Sequence, residues 1–154
     1  MVVSIDKATA LWTHDKVRKH WAAETERVHK ELSRYGLEEA QRFELQDRLD
    51  VLQTTDMALI VSPGQNEIEQ MKKLGLDIVP HRKKMNEQKL DEKFKDPDDP
   101  LRLVFLCAMW LTGFDAPSCS TVYLDKPMPS TGPRSAPQAR HDHPRSRELT
   151  ANRA

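Results

Sequence analysis

Leu101-Arg-Leu-Val-Phe-Leu-Cys107 is the stretch on which the fold turns. Apart from Arg102 every residue in it is apolar, and Val104 and Phe105 carry strand-favouring side chains. A strand with one wet face would alternate, so a near-continuous apolar run predicts a central parallel strand buried on both faces. Asp96-Pro-Asp-Asp-Pro100 interrupts the chain just before it, and further upstream Leu90 and Phe94, four apart, predict a short helix. Asp77-Ile-Val79 reads as a short strand halted by Pro80, and a helix through Ile68, Met71 and Leu74 ends at Gly75. Met57-Ala-Leu-Ile-Val61 is another strand, closed by Ser62-Pro63-Gly64, and Met1-Val-Val-Ser-Ile5 a third, with Asp6 placed to cap a helix. Downstream, a loop from Trp110 to Ser120 leads to a last strand at Thr121-Val-Tyr-Leu124. Strands alternating with helices predict an α/β fold with a parallel, doubly wound sheet. Such sheets bind ligands at loops beyond the carboxyl ends of their strands, and the loop after Cys107 is one of these.

Between the first two strands, Ala10, Val17, Trp21, Val28 and Leu32 recur as one face of a long helix. Gly36 marks a turn, and Leu45, Leu49 and Leu52 place a second helix behind it. Residues 7–53 are therefore expected to form an antiparallel helical hairpin inserted into the domain, with solvated charges on its outer faces. His14, His20 and His29 do not share a face of the first helix and read as surface residues, whereas Trp12 and Trp21 read as packing residues. Trp110 is expected to dock its loop against the sheet.

With 24 basic and 24 acidic residues the chain has no net charge, so nothing in its overall balance draws it to nucleic acid and any DNA contact must be local. Lys72-Lys73 and His81-Arg-Lys-Lys84 form a small basic patch, and Lys83 and Lys84 are its candidates for DNA backbone contacts against the alternative of a solvated face. Two cysteines without CxxC spacing do not suggest a disulfide framework, and Cys107 is expected to be a buried reduced thiol. The amino terminus lacks the charged and apolar regions of a secretory signal, and the expected compartment is the cytoplasm. Residues 129–154 hold four prolines, five arginines and a single large apolar residue, Leu149, and are expected to be disordered. His141-Asp-His143 in that tail has no further ligands on rigid elements and reads as accidental composition rather than a metal site.

The block from Leu101 to Met128, LRLVFLCAMWLTGFDAPSCSTVYLDKPM, resembles motif V and the following strand in the second RecA-like lobe of superfamily 2 helicases. The likeness is greatest to the R subunits of type I restriction-modification enzymes. MVVSIDKATA at the start resembles the motif IV strand and helix, and Thr55–Ser62, Gly75–Ile78 with His81-Arg82, and Phe94–Pro100 agree in order. The resemblance runs from Met1 to Met128 and implies a partial, incomplete RecA-like sheet, with 129–154 as a disordered or frame-shifted tail. It also implies a site. Thr112 would bond a DNA phosphate, Gly113 would let the backbone approach a ligand closely, and Asp115 would accept bonds from a ribose hydroxyl, a water or an arginine. In the family this loop couples the tracked DNA strand to the nucleotide. ATP and Mg2+ are implied for the full-length parent, with double-stranded DNA, a first RecA-like lobe and the modification and specificity subunits as partners.

No GxxxxGK[ST] loop or Walker-B-like acidic motif occurs in the chain. The arginine-bearing motif VI expected after Tyr123-Leu-Asp-Lys-Pro-Met128 is replaced by unrelated sequence. The expectation is therefore a broken or frame-shifted piece that neither hydrolyses ATP nor cuts DNA alone, takes no cofactor and holds no catalytic residue. Two other readings compete with it. One is a stand-alone, non-enzymatic α/β interaction module that uses the 7–53 hairpin, and the other is a decayed gene product.

Overall fold

The computed structural model describes residues 1–107 and 116–125. Its elements run β1 (Val2–Ser4), α1 (Lys7–Leu32), α2 (Glu39–Thr54), β2 (Asp56–Val61), α3 (Glu67–Lys73), α4 (Val79–Glu87), α5 (Leu90–Lys95), β3 (Leu101–Cys107) and β4 (Tyr123–Asp125). The four strands form one sheet in the order β2-β3-β1-β4, and every pair is parallel. This is the α/β architecture expected from the sequence. The Leu101–Cys107 run lies inside it, between β2 and β1, where both faces are covered.

The two faces of the sheet carry separate apolar layers. On one, Leu59, Val61 and Phe105 pack with Ala10 and Leu11 of α1, Met71 of α3 and the connecting residues Leu76 and Ile78. On the other, Val3, Ala58, Ile60, Val104 and Leu106 meet Leu90 and Phe94 of α5. The alternation of Val104 and Leu106 to one side with Phe105 to the other is the period of a strand, and here both phases are apolar. Phe105, Leu59 and Ile78 are essentially inaccessible, and burying each stabilises the fold by about 1.5–3 kcal/mol.

Local signals in the chain set the element ends. The Asp6 carboxylate accepts the Thr9 amide at 2.7 Å and opens α1. At the end of α3, Gly75 takes a φ of +72° that a side chain would strain. The Leu76 amide then reaches back to the Met71 carbonyl (2.9 Å) and the Gly75 amide to Lys72 (3.0 Å), while Leu76 and Met71 meet in the same apolar layer. The helical hairpin forms as expected: α1 packs along α2, with Val28 and Leu49 buried between them. The Trp21 indole N–H bonds the Leu52 carbonyl at 2.9 Å, and Arg48 reaches Glu24 at 2.6 Å.

Five sequence expectations change. Asp77–Val79 is not a strand: Val79 begins α4, its amide bonded to the Asp77 carboxylate at 3.0 Å. Pro80, read as a stop, occupies the first turn of a helix, where its missing N–H costs nothing. His14 is not a surface residue but 3% exposed, because it falls on the stretch of α1 that lies over Phe105, whereas His20 and His29 lie beyond the sheet and are exposed. Trp12 points the other way and is 44% exposed rather than packed. Cys107 is half-buried at the strand's end rather than enclosed.

Candidate functional site

The strand register brings the carboxyl ends of the sheet flush. Ser4 pairs with Cys107 and with Asp125, and Val61 pairs with Cys107. The chain therefore leaves β3 toward residues 108–115 from the middle of the edge where parallel sheets bind ligands. Thr112, Gly113 and Asp115, with Trp110, lie outside the described residues. So do residues 129–154 with His141-Asp-His143.

What the described residues build at this edge is an ion-pair clamp. The Arg82 guanidinium on α4 bonds the Val61 carbonyl (2.7 Å) and the Ser62 carbonyl (2.6 Å) at the end of β2. The same group makes a two-pronged contact with the Glu67 carboxylate, through Nε and through Nη2 at 2.8 Å. Glu67 opens α3 and also receives the Lys7 ammonium from the start of α1 at 3.4 Å. Arg82's hydrogen bonds, joined by Lys7 and opposed by burial, hold the Glu67 carboxyl below the usual carboxylate range. Gly64 leaves the room that Lys7 needs, since a Cβ there would stand 2.8 Å from Nζ. Elsewhere on this edge the Ser4 hydroxyl is buried with no hydrogen-bond partner among the described residues, and the Cys107 thiol points to the Ile5 carbonyl at 3.6 Å.

The basic patch read from the sequence is divided by the helix that carries it. Lys84 turns inward, its ammonium 2.7 Å from both oxygens of Asp56 and 2.9 Å from the Met57 carbonyl. Three donors meet three acceptors, so that charge is spent at the amino end of β2, while Arg82 is spent at the carboxyl end. Helix α4 is thus a strap tied to both ends of one strand. Lys83 faces out, its side chain 71% exposed and 3.9 Å from Glu87. His81, the remaining member, turns toward α1, where its ring meets that of His14 edge-on with centroids 4.6 Å apart. Burial, reinforced by His14, pushes the His81 pKa down to about 4. Sequence reading missed both inward roles. A run of basic residues on a nine-residue helix has the same composition whether it faces solvent or a sheet, and only the tertiary neighbours decide.

Fold and edge together define a class: an open, parallel α/β domain. Residues 24–133, more than two thirds of the chain, match the family model described as type I restriction enzyme subunit R domain 3, and the chain belongs to that family. It is 62% identical over 45 residues, 29% of its length, to the HindI type I restriction enzyme endonuclease subunit of Haemophilus influenzae. It is 47% identical over 53 residues, 34% of its length, to a putative type I endonuclease subunit, MjaIXP, of Methanocaldococcus jannaschii. These matches span 4% and 5% of the two relatives. No solved structure matches the chain significantly. Among the described residues no helix is long and apolar enough to cross a membrane.

Proposed function

We propose that this chain forms part of the second RecA-like lobe in the R subunit of a type I restriction-modification enzyme, the subunit that uses ATP to move DNA and then cleaves it. Membership of the subunit R family is the observation that carries this reading, and the parallel sheet supports it. In that setting the Leu101–Met128 block supplies the coupling loop. Thr112 donates its hydroxyl to a phosphate of the DNA backbone, and Gly113 admits the close approach of the chain. Asp115 accepts from the nucleotide side of the cleft. Lys83, outward on α4 and only loosely paired with Glu87, adds a sequence-independent backbone contact, whereas Lys84 is held by Asp56.

The described residues of the carboxyl edge do not fit ATP or Mg2+ by themselves. Arg82 and Lys7, the cations of the clamp, are both committed to Glu67. Hydrolysis is therefore assigned to the complete subunit with its first RecA-like lobe, to which this chain contributes the coupling loop. Duplex DNA and the modification and specificity subunits are the expected partners of that assembly. The test is made in a complete R subunit carrying this domain. Thr112→Ala and Asp115→Ala should each lower DNA-stimulated ATP turnover at least about tenfold, the scale of losing one group that positions or stabilises the reacting charge. Turnover within twofold of the parent in both variants would remove the coupling role from this loop.

A further inference from the structure

Where the helical hairpin leaves the sheet, α1 and α4 bring two imidazoles and a carboxylate together. One nitrogen of His14, one of His81 and one carboxylate oxygen of Asp15 all lie within 4.8 Å of one another. His14 is buried, and its Nδ1 stands 3.0 Å from the Asp15 carboxylate. The two rings meet edge to face, and Phe105 closes the far side of His14 with its ring centroid at 5.3 Å. Packing satisfies the faces of these rings. It does not satisfy their nitrogens, since His81 has no hydrogen-bond partner among the described residues and His14 has only Asp15. Both rings line a cavity of about 390 Å³ that also reaches Arg18, Trp21, Thr55 and Asp56.

We propose that His14, Asp15 and His81 form a three-ligand site for a divalent transition-metal ion of the Zn2+ class, with water from the adjoining cavity as fourth ligand. Two imidazoles and one carboxylate are a nitrogen–oxygen donor set suited to zinc, and a fourth position filled by solvent completes a tetrahedron. Ligand atoms around zinc stand about 3.4 Å apart for bond lengths near 2.1 Å, so a present spacing of up to 4.8 Å closes with inward shifts of at most about 1.4 Å. Rotation of Asp15, whose side chain is 56% exposed, and of the partly exposed His81 supplies that movement without moving α1. The nearby Lys84 charge is neutralised by Asp56, which leaves Arg18 as the cation opposing the ion from the cavity wall. Because one ligand comes from α4 and two from α1, a bound ion would join the strap over β2 to the root of the hairpin. It would fix the angle at which the hairpin leaves the sheet.

The test uses the full 154-residue chain, stripped with chelator and titrated with Zn2+, and with Co2+ as a spectroscopic substitute. Zn2+ at about a hundredfold excess over its dissociation constant should raise the melting temperature by at least about 5 °C. Co2+ should develop the visible absorption of a four-coordinate ion. His81→Ala and the exposed-position variant Asp15→Asn should each weaken binding at least about tenfold. The variant His141→Ala/His143→Ala, which removes the other histidine pair, should leave the shift intact. The proposal is overturned if Zn2+ gives no shift, if the shift survives both His81→Ala and Asp15→Asn, or if it disappears with His141 and His143.

Discussion

Replacing Arg82 by alanine should cost the fold about 3 kcal/mol. The guanidinium gives two hydrogen bonds to backbone carbonyls at the end of β2 and two to Glu67, and its side chain is 19% exposed against 12% for the carboxylate. Charge-assisted bonds contribute roughly 1.5–3 kcal/mol each in isolation, but four made by one group do not add. The larger part of the loss is the carboxylate left behind, desolvated and with only Lys7 to answer it at 3.4 Å. For a chain of this length that energy corresponds to a fall of roughly 10 °C in melting temperature. Urea unfolding followed by circular dichroism at pH 7 measures it, with Arg82→Lys as companion. Lysine keeps the charge but not the fork, and should restore less than half of the loss. Glu67→Gln should be milder than Arg82→Ala, and the double variant should reveal a coupling of about 1–3 kcal/mol. The clamp also has an acid signature. Because Glu67's carboxyl is held below its unfolded value of about 4.5, its contribution is complete above that pH and is lost as pH falls through the lower folded value. Arg82→Ala should therefore flatten the lowest part of the acid limb. A loss under about 1 kcal/mol at pH 7 would refute the reasoning and place the pair among exposed contacts that add little.

His81 predicts a separate, higher acid transition. Its pKa falls to about 4 in the folded chain, so the unfolded chain gains a proton first as pH drops below about 6.5. Stability should be full above that pH and decline down to about 4, and His81→Gln should abolish the decline between those values without touching the Glu67 part. At the other side of the sheet, β4 is an edge among the described residues, with Val122, Tyr123 and Leu124 each about half exposed or more. Tyr123→Lys should lower self-association measured by sedimentation at constant melting temperature, since a charge on an edge strand opposes pairing with another chain. An unchanged sedimentation profile would show that this edge is not what associates.

The parallel sheet was legible because Leu101–Cys107 is apolar in both phases, which only a strand covered on two sides requires. The hairpin was legible because its apolar stripe keeps helical spacing over six turns and stops at Gly36. The stretch at Asp77–Val79 was misread because three residues carry no period, and a proline marks a strand's end and a helix's start alike. The buried imidazole of His14 was hidden for another reason. Burial along α1 depends on where a 26-residue helix crosses a sheet of short strands, and nothing in the helix's own sequence marks the crossing. The clamp was hidden more deeply still. Lys7, Glu67 and Arg82 are scattered over 76 positions, and the pairing exists only because α1, α3 and α4 share one side of β2 and β3.

The place of β1 in the sheet sets an order of events in the ribosome's tunnel. Its three residues are made well before both of their neighbours, Leu101–Cys107 and Tyr123–Asp125, which follow about a hundred residues later. At synthesis rates of about 5–20 residues per second, β1 waits roughly 5–20 seconds for a partner. The α1–α2 hairpin, whose contacts are local, can close in the meantime and holds β1 tethered at its base. The middle strand β3 is thus inserted between two strands, β2 and β1, that have already been made, and β4 follows at the edge. A pause or a break in translation before β3 would leave a folded hairpin carrying an unpaired apolar strand, the kind of nascent chain that chaperones hold.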